Sequence, residues 1–382
     1  MESIRIAFSI DSLKLGGAER VLLRWAAWCR EAGWDVVVIT RQTADLDVYP
    51  LPQGVRRCFE PLLPAALDRL GWVAFPLRVY QLRQLLRQQR CHLAVGVTTL
   101  PSVKLLLACF GLQIRCIVSE RNYPPAKPPL LPWRWLRRLT YPWADLHLVQ
   151  TKITGLWLRD HCGVRRQLLL PNPVAWPFPD REPRVDPDHW IDADAPLLMG
   201  VGTKAMQKGF DKLMPVFKTL AGEHPTLHLA LPGVSQGIYH GRDQQGWLRG
   251  LLGDDPNLQQ RFLLPGTVGN MSRWYSRTTV FVLPSRFEGF PNVLLEAMAA
   301  GCACVASDCL TGPAELIQHE VNGLLLPEDA TSDDWVMAIR ELLNDPRRCM
   351  ALGREAIAVR ERFSSERLRH DFLEALRPLS HG

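Results

Sequence analysis

The chain has 382 residues, 47% hydrophobic and 22% charged, with a formal net charge of +6. That length exceeds the size at which one hydrophobic core stops growing, so two domains are expected. No apolar run approaches the roughly 18 residues a membrane-spanning helix needs, and ten cysteines in so long a chain exclude a disulfide scaffold. The charge is uneven. Residues 1–170 carry 24 Lys and Arg against 12 Asp and Glu, and residues 171–382 carry 21 against 27. A basic first half suits lipid headgroups, a lipid diphosphate or nucleic acid, and a solvated basic face with no dedicated partner fits the same count.

Ile4–Ile10 reads as a first buried strand, too short for the apolar core of a signal peptide, which predicts a cytoplasmic protein. It leads through Leu15-Gly16-Gly17-Ala18-Glu19 into a helix from about Ala18 to Ala32, closed by Gly33. Glycine at such a turn lets the backbone approach a phosphate or a reacting sugar, and an ordinary tight turn has the same composition. Strands follow at Asp35–Thr40, Leu93–Val97, Arg115–Ser119 and Asp145–Gln150, with helices at Pro76–Gln89 and Pro101–Cys109. This alternation predicts a parallel, doubly wound sheet. Ser119-Glu120-Arg121-Asn122 lies at the end of one strand, where Glu120, Arg121 and Asn122 face a sugar or acceptor, or Glu120 and Arg121 form a structural ion pair. Further on, Pro132–Trp143 interleaves Trp133, Trp135 and Trp143 with Arg134, Arg137 and Arg138. That mixture suits docking on an anionic membrane, and a helix packed on its own core fits equally well. The first domain is expected over residues 1–175. The Pro- and Asp-rich stretch 176–196 is read as the connection, and its Asp192-x-Asp194 pair as solvated charge rather than a metal site.

The pattern restarts with strand Leu197–Val201, helix Phe210–Glu223 and strand Leu227–Leu231, then Arg261–Leu264, Val280–Leu283 and Cys304–Ser307. This second domain is expected over 197–363, with a last helix within 364–382. Gly202-Thr203-Lys204-Ala205-Met206-Gln207-Lys208-Gly209 follows one strand. Ser285-Arg286-Phe287-Glu288-Gly289-Phe290-Pro291-Asn292-Val293-Leu294-Leu295-Glu296 follows another and runs into a helix that Gly301 can end. Pro291 suits its first position. A helix start offers free N–H groups and partial positive charge to a phosphate, and carboxylates beside it accept sugar hydroxyls. Phosphate and polyol together suggest a nucleotide sugar. Cys302, Cys304 and Cys309 read as small buried residues.

The run from Ser285 to Gly301, with Glu288 and Glu296 separated by seven residues, resembles the donor-binding signature of the retaining glycosyltransferases of family 4, which share the GT-B fold. The resemblance implies an α/β chain of two Rossmann-like, doubly wound domains facing a cleft, with the C-terminal helix crossing back to the first. It implies Glu288 nearest the transferred sugar and Glu296 on the ribose, with the main chain of Gly289, Phe290, Pro291, Asn292 and Val293 at the diphosphate. Gly16 and Gly17 match the family's glycine-rich turn, and Val268 its base-lining segment. Lys208 matches a cation that neutralises the leaving group. Thr203 stands where the family has Arg, and Lys204 is its candidate substitute. Ser119–Asn122 resembles the amylovoran-biosynthesis subgroup, which builds bacterial surface polysaccharides. The implied activity is transfer from a nucleotide sugar, UDP-linked, to a glycan or lipid-linked glycan. No metal and no cofactor beyond the co-substrate are implied, and nucleic acid is not an implied partner. Localisation at the inner face of the cytoplasmic membrane is the corresponding expectation. A GT-B epimerase and a catalytically idle nucleotide-sugar-binding protein are the alternatives. No G-x-G-x-x-G follows the first strand, which argues against a dinucleotide oxidoreductase.

Overall fold

The computed structural model describes residues 3–14, 16–64, 71–126, 128–239 and 241–380, so Leu15 of the glycine turn and Lys127 of the Pro-rich loop lie outside the described residues. The chain divides into two compact units, Met1–Asn172 with Glu366–Gly382, and Pro173–Ser365.

In the first unit the strands are β1 (Arg5–Ile10), β2 (Asp35–Thr40), β3 (Arg56–Phe59), β4 (Leu93–Val97), β5 (Arg115–Glu120), β6 (Leu146–Val149) and β7 (Gln167–Leu169). They form one parallel sheet in the order β3-β2-β1-β4-β5-β6-β7. The helices are α1 (Gly17–Glu31), α2 (Phe75–Gln89), α3 (Thr99–Cys109), α4 (Leu131–Thr140) and α5 (Lys152–Cys162). Strands buried on both faces need continuous apolar runs, and Asp35–Thr40 and Leu93–Val97 are such runs. The sequence pattern missed β3 and β7. Both are short, partly exposed edge strands: β3 has no apolar run, and β7 offers only the short leucine run that begins at Leu168. Sheet order reverses between β1 and β4, so the turns leaving these two strands flank the switch point where α/β sheets bind ligands.

The last helix of the chain, Ser365–Leu376, belongs to this unit through Leu368, Phe372, Leu373 and Leu376. Phe372 stacks on Trp25 of α1 with ring centroids 5.3 Å apart and meets Trp28 at 6.0 Å. Burying such a side chain stabilises by about 1.5–3 kcal/mol. Lys104, which interrupts the apolar run of α3, is buried against Glu60 with Nζ 2.6 Å from Oε1.

His147 on β6 is 1% exposed, neither ring nitrogen has a hydrogen-bond partner among the described residues, and burial pushes its pKa down to about 3. Its folded-state pKa lies below the unfolded value. It therefore costs nothing above about 6.5 and withdraws stability as pH falls from there toward about 3. His147→Phe is expected to flatten that part of the stability–pH curve, measured by urea unfolding between pH 7 and 4. An unchanged slope would assign the acid sensitivity to other groups.

In the second unit the parallel strands β8 (Leu197–Met199), β9 (His228–Ala230), β12 (Phe262–Leu263), β13 (Val280–Leu283), β14 (Ala303–Ser307) and β15 (Leu324–Leu326) order as β12-β9-β8-β13-β14-β15. A hairpin, β10 (Ile238–Tyr239) and β11 (Arg242–Asp243), precedes the helix that begins at Gln244. The helices are α6 (Phe210–Glu223), α7 (Gln244–Leu252), α8 (Pro256–Arg261), α9 (Met271–Arg277), α10 (Asn292–Ala300), α11 (Pro313–Leu316), α12 (Ser332–Asn344), α13 (Pro346–Ala356) and α14 (Val359–Arg362), and the last helix of the chain is α15. The switch point lies between β8 and β13. Residues 176–196 pack on this unit: the Trp274 indole donates to the Val185 carbonyl at 2.8 Å, and the Val185 amide donates to Asn270 at 2.8 Å. Asp192 and Asp194 are exposed. Cys302 and Cys304 are buried, each thiol donates to a backbone carbonyl, and burial pushes Cys302 up to about 12.

Candidate active site

The two loops that leave the second unit's switch point are 200–209 after β8 and 284–291 after β13. They are stitched together. The Arg286 amide donates to the Gln207 carbonyl at 2.9 Å, its guanidinium to the Met206 carbonyl at 2.7 Å, and the Gln207 side chain to the Phe287 carbonyl at 3.3 Å. Arg286 also makes two 2.7 Å bonds to Asp211 in the first turn of α6. Gly209 has φ +67°, and a Cβ there would run into the Pro284 carbonyl. Only glycine lets the loops approach this closely.

This contact brings Lys208 to Glu288. Lys208 Nζ lies 2.8 Å from Glu288 Oε1, and Ser285 Oγ donates to the same oxygen at 2.6 Å. Both side chains are largely withdrawn from water, with 14% and 6% exposure. Among the described residues no hydrogen bond goes to Glu288 Oε2, which leaves it to accept one from a ligand hydroxyl. The alkyl stem of Lys208 lies over Gly202, where an added Cβ would come within 2.8 Å of Cγ. The Thr311 hydroxyl and amide both donate to the Glu288 carbonyl, at 3.0 and 3.2 Å, and fix the loop from its other side.

Helix α10 begins just beyond. Its N-cap is Pro291, with φ −81° and ψ 76°, so Asn292 and not Pro291 is the first helical residue. The expected position was one residue early, because a proline at the cap and at the first turn leave the same sequence mark. No side chain caps this end and its first turn holds no acid. The partial positive charge is therefore unanswered by the helix's own first turn. Glu296, half-buried one turn in, accepts a hydrogen bond from the Tyr275 hydroxyl at 3.1 Å. Burial and the Glu296 charge hold the Tyr275 phenol well above its ordinary pKa. Val268 and Val293 pack against the same apolar cluster as Phe290. Thr203 is exposed, and Gln244 grips its segment by accepting from the Ala205 amide at 2.7 Å and donating to the Thr203 carbonyl at 3.1 Å.

In the first unit, Gly16 caps α1 and Gly17 is its first residue. Here the helix start is answered by the chain itself. A Cβ on Gly16 would collide with the Glu19 carboxylate, and burial holds the Glu19 pKa above its usual range. Across the switch point Thr98 has φ +72°, a strained conformation for a β-branched residue. Glu120 and Arg121 point into this unit's own interior. Glu120 is 2% exposed and accepts from Thr99 at 3.1 Å and Tyr141 at 2.9 Å, and burial raises its pKa. Arg121 bonds Asn172, lies 5.3 Å over the Trp25 ring, and is pushed down by burial to about 9. Asn122 is exposed.

The interleaved segment divides. Arg137 is 4% exposed, stacks 4.8 Å over Trp157 and lies close enough to Glu120 to lower its pKa, so Arg137 is not a surface cation. Trp133 packs edge-on against Phe75 at 4.7 Å. Arg134, Trp135 and Arg138 are exposed. The helix turns positions 133, 137 and 140 inward and 131, 135 and 139 outward, a division that residue type does not reveal.

The sequence reading missed Ser285, Tyr275, Gln244, Thr98 and the Asp211–Arg286 clamp. Ser285 bonds Glu288 only three residues on, whereas the roles of Tyr275, Gln244 and the Asp211–Arg286 clamp depend on partners tens of residues away that no local spacing marks.

Residues 15–175 match the family described as Glycosyltransferase Family 4, and residues 195–345 the family described as Glycosyl transferases group 1. The chain is 30% identical over 380 residues to the N-acetylgalactosamine-N,N'-diacetylbacillosaminyl-diphospho-undecaprenol 4-alpha-N-acetylgalactosaminyltransferase of Campylobacter jejuni, covering 97% of this chain and 99% of that protein. It spans 46% and 27% of the length of two further relatives. Among solved structures it is similar to sucrose-phosphate synthase of Thermosynechococcus elongatus, with TM-score 0.81 and 21% identity, covering 98% of this chain and 99% of that one. HepE of Anabaena in complex with UDP has TM-score 0.75 and 18% identity over the same shares of each chain. Two parallel doubly wound sheets, these structural likenesses and the matches along both halves identify the chain as a member of glycosyltransferase family 4 with the GT-B fold.

Proposed function

We propose that the chain transfers a sugar, a hexose or N-acetylhexosamine, from a UDP-linked donor to a lipid-linked or surface-polysaccharide acceptor, with retention of configuration and without a metal. The observation that carries this reading is the Lys208–Glu288 pair, withdrawn from water at the switch point beside a helix start that no acid of its first turn answers. The diphosphate lies at the start of α10 and takes Lys208 as its cation. Glu288 Oε2 accepts from a hydroxyl of the transferred sugar, and Glu296 from the ribose. In the step itself the acceptor oxygen bonds the anomeric carbon as the bond from that carbon to the diphosphate breaks. The acceptor proton passes to the departing diphosphate on the same face. Charge developing on the leaving group is stabilised by a preorganised cation and helix dipole. The relative from Campylobacter jejuni is named for a diphospho-undecaprenol substrate and HepE is solved with UDP, which supports a lipid-linked acceptor and a uridine donor.

A thermal-shift screen of UDP-, GDP- and ADP-sugars tests the donor. UDP-sugars are expected to raise Tm progressively with the logarithm of their concentration. No response to any nucleotide sugar would contradict the reading, and conversion of the donor without a glycoside product would favour the epimerase. Tyr275→Phe removes the hydrogen bond that orients Glu296. Its expected signature is a rise in donor KM of roughly fivefold, the scale of one hydrogen bond, with kcat within twofold. A fall in kcat alone would place Tyr275 elsewhere in the cycle.

We further propose that the exposed face of α4 docks on an anionic membrane. Leu131, Trp135 and Leu139 form an exposed stripe along α4, with exposures of 65%, 69% and 59%, flanked by exposed Arg134 and Arg138. No described helix is long and apolar enough to cross a membrane. An apolar stripe edged with cations suits the headgroup zone, where each basic residue adds about 1 kcal/mol. Vesicles containing anionic lipid are expected to sediment the protein, less so at high salt, and the triple variant Arg134→Glu, Trp135→Ala, Arg138→Glu is expected to stay in solution. Equal sedimentation of the folded variant would remove α4 from membrane docking.

A further inference from the structure

Immediately before Lys208 and Glu288 in the chain stand Gln207 and Phe287, and these two residues line a separate cavity of about 440 Å³. Its remaining wall includes Lys204, Arg242, Gln244 and Trp247. The volume is that of a small-molecule site. Among the described residues neither Lys204 nor Arg242 has a carboxylate partner, whereas the nearby Arg286 is neutralised by Asp211. Arg242 is held in the wall by its stack 4.7 Å over the Trp247 ring. The backbone carrying Lys204 is held too, because Gln244 bonds the residues on either side of it. Two cations without a carboxylate partner, two aromatic rings and the Gln207 amide thus line one concavity.

That combination has a specific chemistry. Aromatic faces take the C–H face of a pyranose, amides take its hydroxyls, and unneutralised cations take a carboxylate or phosphate substituent through charge-assisted hydrogen bonds. We propose that this cavity binds an anionic sugar residue of the acceptor glycan. The proposal rests on the glycosyltransferase reading and deepens it by naming the acceptor as acidic. Gln207 and Phe287 place part of its wall on the same two loops that carry Lys208 and Glu288.

Titration calorimetry on the full chain, with UDP present, tests this with trigalacturonate, a phosphorylated trisaccharide and neutral maltotriose. At least one anionic saccharide is expected to bind tenfold or more tightly than maltotriose, and Arg242→Glu to weaken it at least tenfold. Which anionic saccharide binds distinguishes carboxylate from phosphate. Arg242 is exposed and outside the donor machinery, so UDP affinity is expected to stay within twofold and serves as the folding control. Equal affinity for maltotriose, no binding of any saccharide, or unchanged binding by the Arg242→Glu variant would overturn the proposal. Failure of the wild type to bind UDP would instead sink the glycosyltransferase reading on which it rests.

Discussion

Glu288→Gln is expected to abolish transfer, by at least the roughly hundred- to thousandfold typical of losing one preorganised electrostatic group, while circular dichroism and Tm remain close to wild type. The amide keeps the size of the carboxylate and can still accept from Ser285 through its oxygen. It removes the charge that holds Lys208 in place 2.8 Å away, and it offers the sugar an N–H donor where Oε2 now accepts. Glu296→Ala touches the ribose side and is expected chiefly to raise donor KM, because that binding is the same in ground and transition states. Wild-type turnover by Glu288→Gln would show that the reacting sugar lies elsewhere.

Lys208→Ala is expected to lower kcat by roughly a hundredfold or more. Two effects add. The leaving diphosphate loses its cation, and Glu288 is left withdrawn from water without a counter-charge. Gly202→Ala is expected to reproduce part of the loss, because an added methyl displaces the Lys208 stem without removing its charge. Activity is expected to survive excess EDTA, since Lys208 and the α10 dipole supply the positive charge. Loss of activity with EDTA, restored by manganese or magnesium, would contradict this and return attention to Asp192 and Asp194.

Central strands were legible wherever burial on both faces demands an unbroken apolar run, as in Asp35–Thr40, Leu93–Val97 and Val280–Leu283. Gly301 was legible as a helix end because the left-handed conformation it adopts, φ +84°, favours glycine. The edge strands β3 and β7 were not legible: β3 has no apolar run, and β7 is three residues long, too short to stand out. The resemblance marked Lys208 and Glu288 separately, yet nothing local says that a lysine and a carboxylate eighty residues apart will meet. The same holds for Lys104 and Glu60. Composition misled at α4, where Arg137 is buried and Trp135 exposed, the reverse of the ordinary preference. There the direction of each side chain is decided by Glu120 and Trp157, which no reading of residues 131–140 contains.

A crystal structure of the chain with UDP measures the donor site most directly. The diphosphate is expected at the first turn of α10, within hydrogen-bond distance of Lys208 Nζ and the amides around Asn292 and Val293, with the ribose hydroxyls on Glu296. A diphosphate seated on the Gly16–Gly17 turn or between Lys204 and Arg242, out of reach of both Lys208 and the α10 start, would contradict the assignment.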